Sequence, residues 1–256
     1  MPEPFYALVD YDNQRPPRFG HWASEGRRPN LRDHEEYVDT LLKALVAVRE
    51  QIDPGFAELR IRLYGGWNTV VHGERTEAAD MVAQAIARLG RSTRIRNTRV
   101  FLELAETLLV APGELLAGTL RSTRWRGEVM RFQPQPPNCH ESPATCPFLT
   151  SFHQWSKGRC PKGPECPVET SHVVAFQGQK LVDAMLVADI ISGSAYLKAH
   201  VLTVSMDDDM IPGLLTARLL GGTVTVVRFG RHDRSAYDPL LMRYGISIID
   251  LPAFGG

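Results

Sequence analysis

From residue 179 to residue 249 the apolar residues switch repeatedly between a helical and an extended period, and this alternation constrains the fold more than any other feature of the chain. Gln179 to Ser192 reads as a largely apolar helix, Val201 to Ser205 as a strand and Met210 to Leu220 as a helix; Thr223 to Val227 is a strand, Pro239 to Tyr244 a short helix and Ile246 to Ile249 a last strand. Strands that alternate with helices pair in parallel, because each helix must carry the chain back over a face of the sheet. A sheet of this kind is covered on both faces and binds ligands beyond the carboxyl ends of its strands.

The first half carries the same signal. Phe5 to Val9 predicts a short buried strand, and the polar, Arg- and Pro-rich stretch Tyr11 to Asp33 a loop. His34 to Ile52 spaces Val38, Leu41, Leu42, Leu45 and Val48 at helical intervals, with Asp33 as the expected N-cap. Leu59 to Tyr64 is a strand closed by Gly65-Gly66, and Glu77 to Leu89 a helix with Gly90 just past its end. Thr98 to Leu104 and Glu128 to Phe132 are further candidate strands. At 256 residues the chain is long enough for one α/β domain, with a central mainly parallel sheet, carrying an insertion.

Three acidic motifs fall where apolar runs stop. Asp10 follows Leu8-Val9, and Asp207 and Asp209 follow Val201-Leu-Thr-Val-Ser205, so both sets are expected at the carboxyl ends of strands. Asp183 interrupts an apolar helical stretch, where a lone carboxylate is costly to bury unless a cation compensates it. Carboxylates packed together repel one another, and magnesium or manganese, which prefer oxygen ligands, would relieve that repulsion. Such a centre orients a water, lowers its pKa and stabilises charge on a phosphodiester. Asp12, Asp189 and Asp208 read instead as cap or turn residues.

The motifs together resemble the NYN domains, a LabA-like branch of the PIN-like nucleases. Asp10-Tyr-Asp-Asn13 ends the first strand, Lys180-Leu-Val-Asp183 precedes Asp189 by six residues, Ser205-Met-Asp207-Asp-Asp209-Met-Ile-Pro212 follows a strand, and Gly221-Gly-Thr-Val-Thr-Val226 begins the next. The resemblance implies a PIN-like α/β/α sandwich and a metal-dependent ribonuclease acting on RNA. It makes Asp10, Asp183, Asp207 and Asp209 the magnesium or manganese ligands, Asn13 and Ser205 hydrogen-bonding supports, and Lys180 a phosphate or charge partner. It also implies a second protein, or a homodimer, to present substrate. The family often has glycine where this chain has Leu181.

Pro134 to Pro167 holds eight of the 18 prolines and all four cysteines. No long helix or strand survives that proline density, so residues 134–172 are expected to form an irregular insertion held by a staple. Cys139, Cys146, Cys160 and Cys166 supply the four thiolates of a tetrahedral structural zinc site, with His140, His153 or His172 as possible replacements. Lys157, Arg159 and Lys162 add positive charge there.

Hydrophobic residues at 43% and charged residues at 23% suit a globular chain, and no apolar run approaches the roughly 20 residues of a bilayer span. Met1-Pro-Glu-Pro shows no secretory signal, so a cytoplasmic location is expected. Net charge is zero, but 24 of the 29 basic residues are arginine, whose planar fork suits phosphate oxygens. Two other functions fit some of the residues. A phosphatase resembling the haloacid dehalogenases would use Asp10 and Asp12 as nucleophile and acid, with Lys180 and Asp207 or Asp208. A catalytically silent RNA- or protein-binding module would keep only the fold.

Overall fold

Ala7, Leu8 and Val9 are consecutive and each fully buried, which a strand achieves only when both faces of its sheet are covered. They belong to β1 (Phe5–Asp10), in the middle of a seven-stranded sheet ordered β3-β4-β2-β1-β7-β8-β9. The other strands are β2 (Ala57–Tyr64), β3 (Ser92–Ile95), β4 (Thr98–Leu104), β7 (His200–Val204), β8 (Thr223–Phe229) and β9 (Ser247–Leu251). All pair in parallel except β3, which runs antiparallel on the edge of β4. The computed structural model describes residues 4–12, 29–55, 57–69, 74–117, 119–124, 150–151, 154–155, 160–162, 175–179, 181–230 and 235–253.

Alternation along β1 divides the core in two. Phe5, Ala7 and Val9 face α1 (Leu31–Ile52) and α2 (Glu77–Leu89), packing with Leu41, Leu45 and Val82. Leu8 points the other way, toward α3 (Val182–Ile191), α4 (Ile211–Leu219) and α5 (Asp238–Arg243), among Leu186, Leu214 and Leu241. A π-helical turn, Ser192–Tyr196, continues α3, and a 3₁₀ turn, Asp208–Met210, precedes α4.

The chain divides into two compact units, Met1–Leu120 with Gln179–Gly256, and Arg121–Gly178. The sheet and its helices form the first. The second includes most of β5 (Leu120–Arg124) and β6 (Ala175–Gln179), which pair as a two-stranded sheet, and contains the Cys-rich stretch. There Cys160 is buried with a free thiol. Cys139, Cys146 and Cys166, and the strand expected over residues 128–132, lie outside the described residues.

Several boundaries differ from the sequence expectation for local reasons. Helix α1 begins three residues before His34, because Asn30 rather than Asp33 is the N-cap. The Asn30 side chain accepts from the Asp33 amide at 3.2 Å, and Asp33 Oδ2 accepts from the Asn30 amide at 2.9 Å, a reciprocal capping box. Helix α3 begins at Val182, since Gln179 still belongs to β6. Among the described residues no helix is long and apolar enough to cross a membrane.

Candidate functional site

Strands β1 and β7 are neighbours and run in the same direction, so their carboxyl ends reach the same edge of the sheet. Asp10 is the last residue of β1 and only 3% exposed. The Ser205 hydroxyl, one residue beyond β7, donates to Asp10 Oδ2 at 3.2 Å. The same hydroxyl oxygen accepts from the Asp207 amide at 3.1 Å, and Asp207 Oδ1 accepts from the Asp209 amide at 3.1 Å. A chain of hydrogen bonds thus runs from a buried carboxylate to two exposed ones. Asp207 also caps the 3₁₀ turn, which fixes where the acidic loop leaves the strand.

Asp183 approaches the same edge from a helix. Helix α3 leads into β7 and packs against β1 and the 3₁₀ turn, so it runs back from the carboxyl edge and its first turn lies there. Asp183 occupies that first turn and is exposed, which corrects the expectation of a buried acid: the helix starts later than its apolar run suggests. A carboxylate in that turn is favoured by the helix dipole. Leu181, the N-cap, has φ 70° and ψ −17°, the left-handed conformation that glycine adopts without strain. Asn13 and Lys180 lie outside the described residues.

The buried acid of α3 is Asp189, fully enclosed. Its Oδ2 accepts from Arg62 Nη1 at 2.7 Å and from the Tyr64 hydroxyl at 2.6 Å, and its Oδ1 from the Leu109 amide at 2.9 Å. Arg62 also donates from Nη2 to the Thr107 carbonyl at 2.7 Å, and its Nε lies 2.8 Å from Glu103. Burial pushes the Asp189 carboxyl above its ordinary pKa, against the pull of the Tyr64 hydroxyl, the Leu109 amide and the Arg62 charge. Burial likewise drives the Tyr64 phenol well up, with Arg62 opposing it. Asp189 is therefore neither a cap nor a turn former; it ties α3 to β2 and to the segment after β4. Arg62 and Tyr64 were missed in the sequence, although an arginine inside the apolar strand Leu59–Tyr64 was the signal for a buried partner.

Aromatic residues support the edge behind Asp10. The buried Tyr11 hydroxyl and His34 Nδ1 are 2.7 Å apart, and the Tyr11 ring packs against Tyr37 and Trp67 at 5.1 and 5.5 Å between centroids. Gly65 leaves room for this cluster, since a Cβ there would sit 2.8 Å from the Trp67 ring. Asp12 accepts from the Gly66 amide at 3.1 Å, joining the ends of β1 and β2, and Asp208 accepts from the Ser235 hydroxyl at 2.8 Å.

Asp10, Asp183, Asp207 and Asp209 offer only hard carboxylate oxygens, the donor type that suits magnesium or manganese. Among the described residues no three His, Cys, Asp or Glu side chains already stand together as a ligand set. Magnesium usually takes one or two carboxylates and keeps several waters, so a partial set on an open edge fits its chemistry. Comparison of the chain with family models, with curated proteins and with solved structures returns no match.

Proposed function

We propose that the protein is a metal-dependent ribonuclease of the NYN type, with Asp10, Asp183, Asp207 and Asp209 as acids of a magnesium or manganese centre. The observation that carries the reading is the Ser205 bridge. One hydroxyl orients the buried carboxylate of Asp10 and holds the backbone of Asp207, so two strand-end acids are fixed at the ligand-binding edge of a parallel sheet. Leu181 adds independent support: where the resembled family often has glycine, this chain keeps a glycine-type backbone.

When bound, the metal supplies a nucleophilic water at neutral pH and stabilises charge on the phosphodiester. The chain's own residues divide the remaining work. Asp10, held by Ser205, would give a fixed carboxylate, and the exposed Asp183, Asp207 and Asp209 would supply further oxygen ligands. Lys180 would neutralise a phosphate oxygen and Asn13 would hydrogen-bond within the site. Hydrolysis would join a water oxygen to phosphorus as the bond from phosphorus to the leaving sugar oxygen breaks, with the water proton passing to that oxygen or to solvent. In the second unit Cys139, Cys146, Cys160 and Cys166 would hold a structural zinc; of these Cys160 is buried with a free thiol.

The test pairs two substrates. Labelled single-stranded RNA and a phosphomonoester are each incubated with manganese, with EDTA and with the Asp207→Asn variant. RNA cleavage that needs manganese and is lost in the variant is the expected result. Phosphomonoester release without RNA cleavage supports the phosphatase, and RNA binding without cleavage supports the silent module.

A further inference from the structure

Helices α3 to α5 pack over β1, β7 and β8, but the same face of the sheet over β2 and β4 carries arginines and aromatic rings. Pairing register aligns Tyr6 of β1 with Arg60 of β2, and Arg60 with Phe101 of β4, so the three form one row across the sheet. Neighbours in such a row are about 4.8 Å apart and point to the same side. The Arg60 guanidinium lies over the Phe101 ring at 5.3 Å, and Arg99, two residues earlier on β4, lies over it at 4.7 Å. Both arginines are exposed.

Charge on this face is only partly compensated. Glu58 takes the Arg60 Nε at 2.7 Å and Glu103 pairs with Arg62. Among the described residues Arg99 has no carboxylate partner, its Nε reaching only Ser92 Oγ at 3.5 Å, and Arg94 on the adjoining strand donates to the Arg96 carbonyl. Beside the row a groove of about 430 Å³ runs between Tyr6, Arg60 and Phe101 and the segment Thr107–Leu109.

We propose that this arginine-aromatic row is a docking strip for single-stranded RNA, a proposal that rests on the ribonuclease reading of the carboxyl edge. Stacking on Phe101 holds Arg60 and Arg99 in place before RNA arrives, so less side-chain entropy is lost when their free N–H groups meet phosphate oxygens. The guanidinium planes and the Tyr6 ring offer flat surfaces to unstacked bases, and the groove accepts one of them. Asp10 lies on the same face, four residues beyond Tyr6 on β1, which is roughly 13 Å at about 3.3 Å per residue.

The experiment measures binding of a short fluorescent single-stranded RNA by anisotropy, in EDTA, across a series of salt concentrations. The Arg60→Ala/Arg99→Ala double variant is compared with wild type and with Lys43→Ala, an exposed lysine of α1; thermal midpoints verify folding. Loss of affinity by tenfold or more in the double variant only, with a log–log salt slope shallower by about 1.4 for two lost phosphate contacts, is the expected result. Unchanged affinity in the double variant overturns the strip, as does a wild type that binds no RNA or a face that captures peptide instead. The two readings fail separately: binding that depends on the arginines without any cleavage removes the nuclease and keeps the strip. Cleavage with arginine-independent binding does the reverse.

Discussion

Ser205 and Asp10 stand 195 residues apart in the chain and 3.2 Å apart in the fold, joined by one hydroxyl that also accepts the Asp207 amide. Ser205→Ala removes both contacts and takes away one orienting hydrogen bond of the Asp10 carboxylate. The loss of an orienting hydrogen bond around a metal site costs roughly 10- to 100-fold in metal affinity or activity, while the hydrogen bond itself adds only about 1 kcal/mol to stability. Single-turnover RNA cleavage as a function of manganese concentration checks this. The half-saturating manganese should rise by about tenfold or more, with the urea midpoint little changed.

Leu181 holds a left-handed backbone that costs a non-glycine residue of order 1 kcal/mol. Leu181→Gly relieves that strain and loses only a half-exposed side chain, so it should leave stability unchanged or raise it by up to about 1 kcal/mol. Urea denaturation measures the difference. A loss of several kcal/mol would mean that the leucine side chain, rather than the backbone, sets the start of α3.

The Arg62–Asp189 pair predicts an asymmetry between single and double substitutions. Asp189→Ala leaves the Arg62 charge buried with only the exposed Glu103 beside it, which should cost about 3 kcal/mol or more. Arg62→Met with Asp189→Leu removes both charges and should cost less than either single change. The pH dependence has a definite sign. The folded carboxyl is raised by burial, so its contribution is fully present below the unfolded pKa and is lost as pH rises through the folded value. Wild type should therefore lead Asp189→Asn by most in acid and by less at neutral pH.

Gly222, between α4 and β8, has no room for a methyl group: a Cβ would meet Ser194 Oγ at 2.6 Å and the Ala217 carbonyl at 2.9 Å. Gly222→Ala should cost about 1–3 kcal/mol by overpacking. This position lies at the amino-terminal edge of the sheet, away from Asp10. Thermal denaturation should register the change while cleavage by the folded protein stays at the wild-type rate.

The parallel sheet was legible because its central strands β1, β7 and β8 are buried on both faces and its helices keep their own period, as Glu77–Leu89 illustrates to the residue. Helix starts were less legible, since a cap depends on which side chain turns back on the backbone; Asn30 does so three residues before Asp33. At the site, Asp10, Ser205 and Asp207 could be read from where apolar runs end. Asp183 and Asp189 both interrupt one apolar helix, and reading Asp189 as a cap or turn residue missed its buried ion pair. The partners that make a buried Asp189 tolerable are Arg62 and Tyr64, more than 120 residues away in the chain.

The central claim is that strand-end carboxylates on this edge hold the metal that cuts RNA. Its most direct test is manganese-dependent cleavage of single-stranded RNA by wild type, Asp10→Asn and Asp207→Asn, each verified as folded by circular dichroism. The account predicts cleavage by wild type that EDTA abolishes, and a loss of at least about 100-fold in both variants, the scale of losing a stabilising group from the reacting centre. Cleavage at the wild-type rate by a folded Asp10→Asn protein would contradict it.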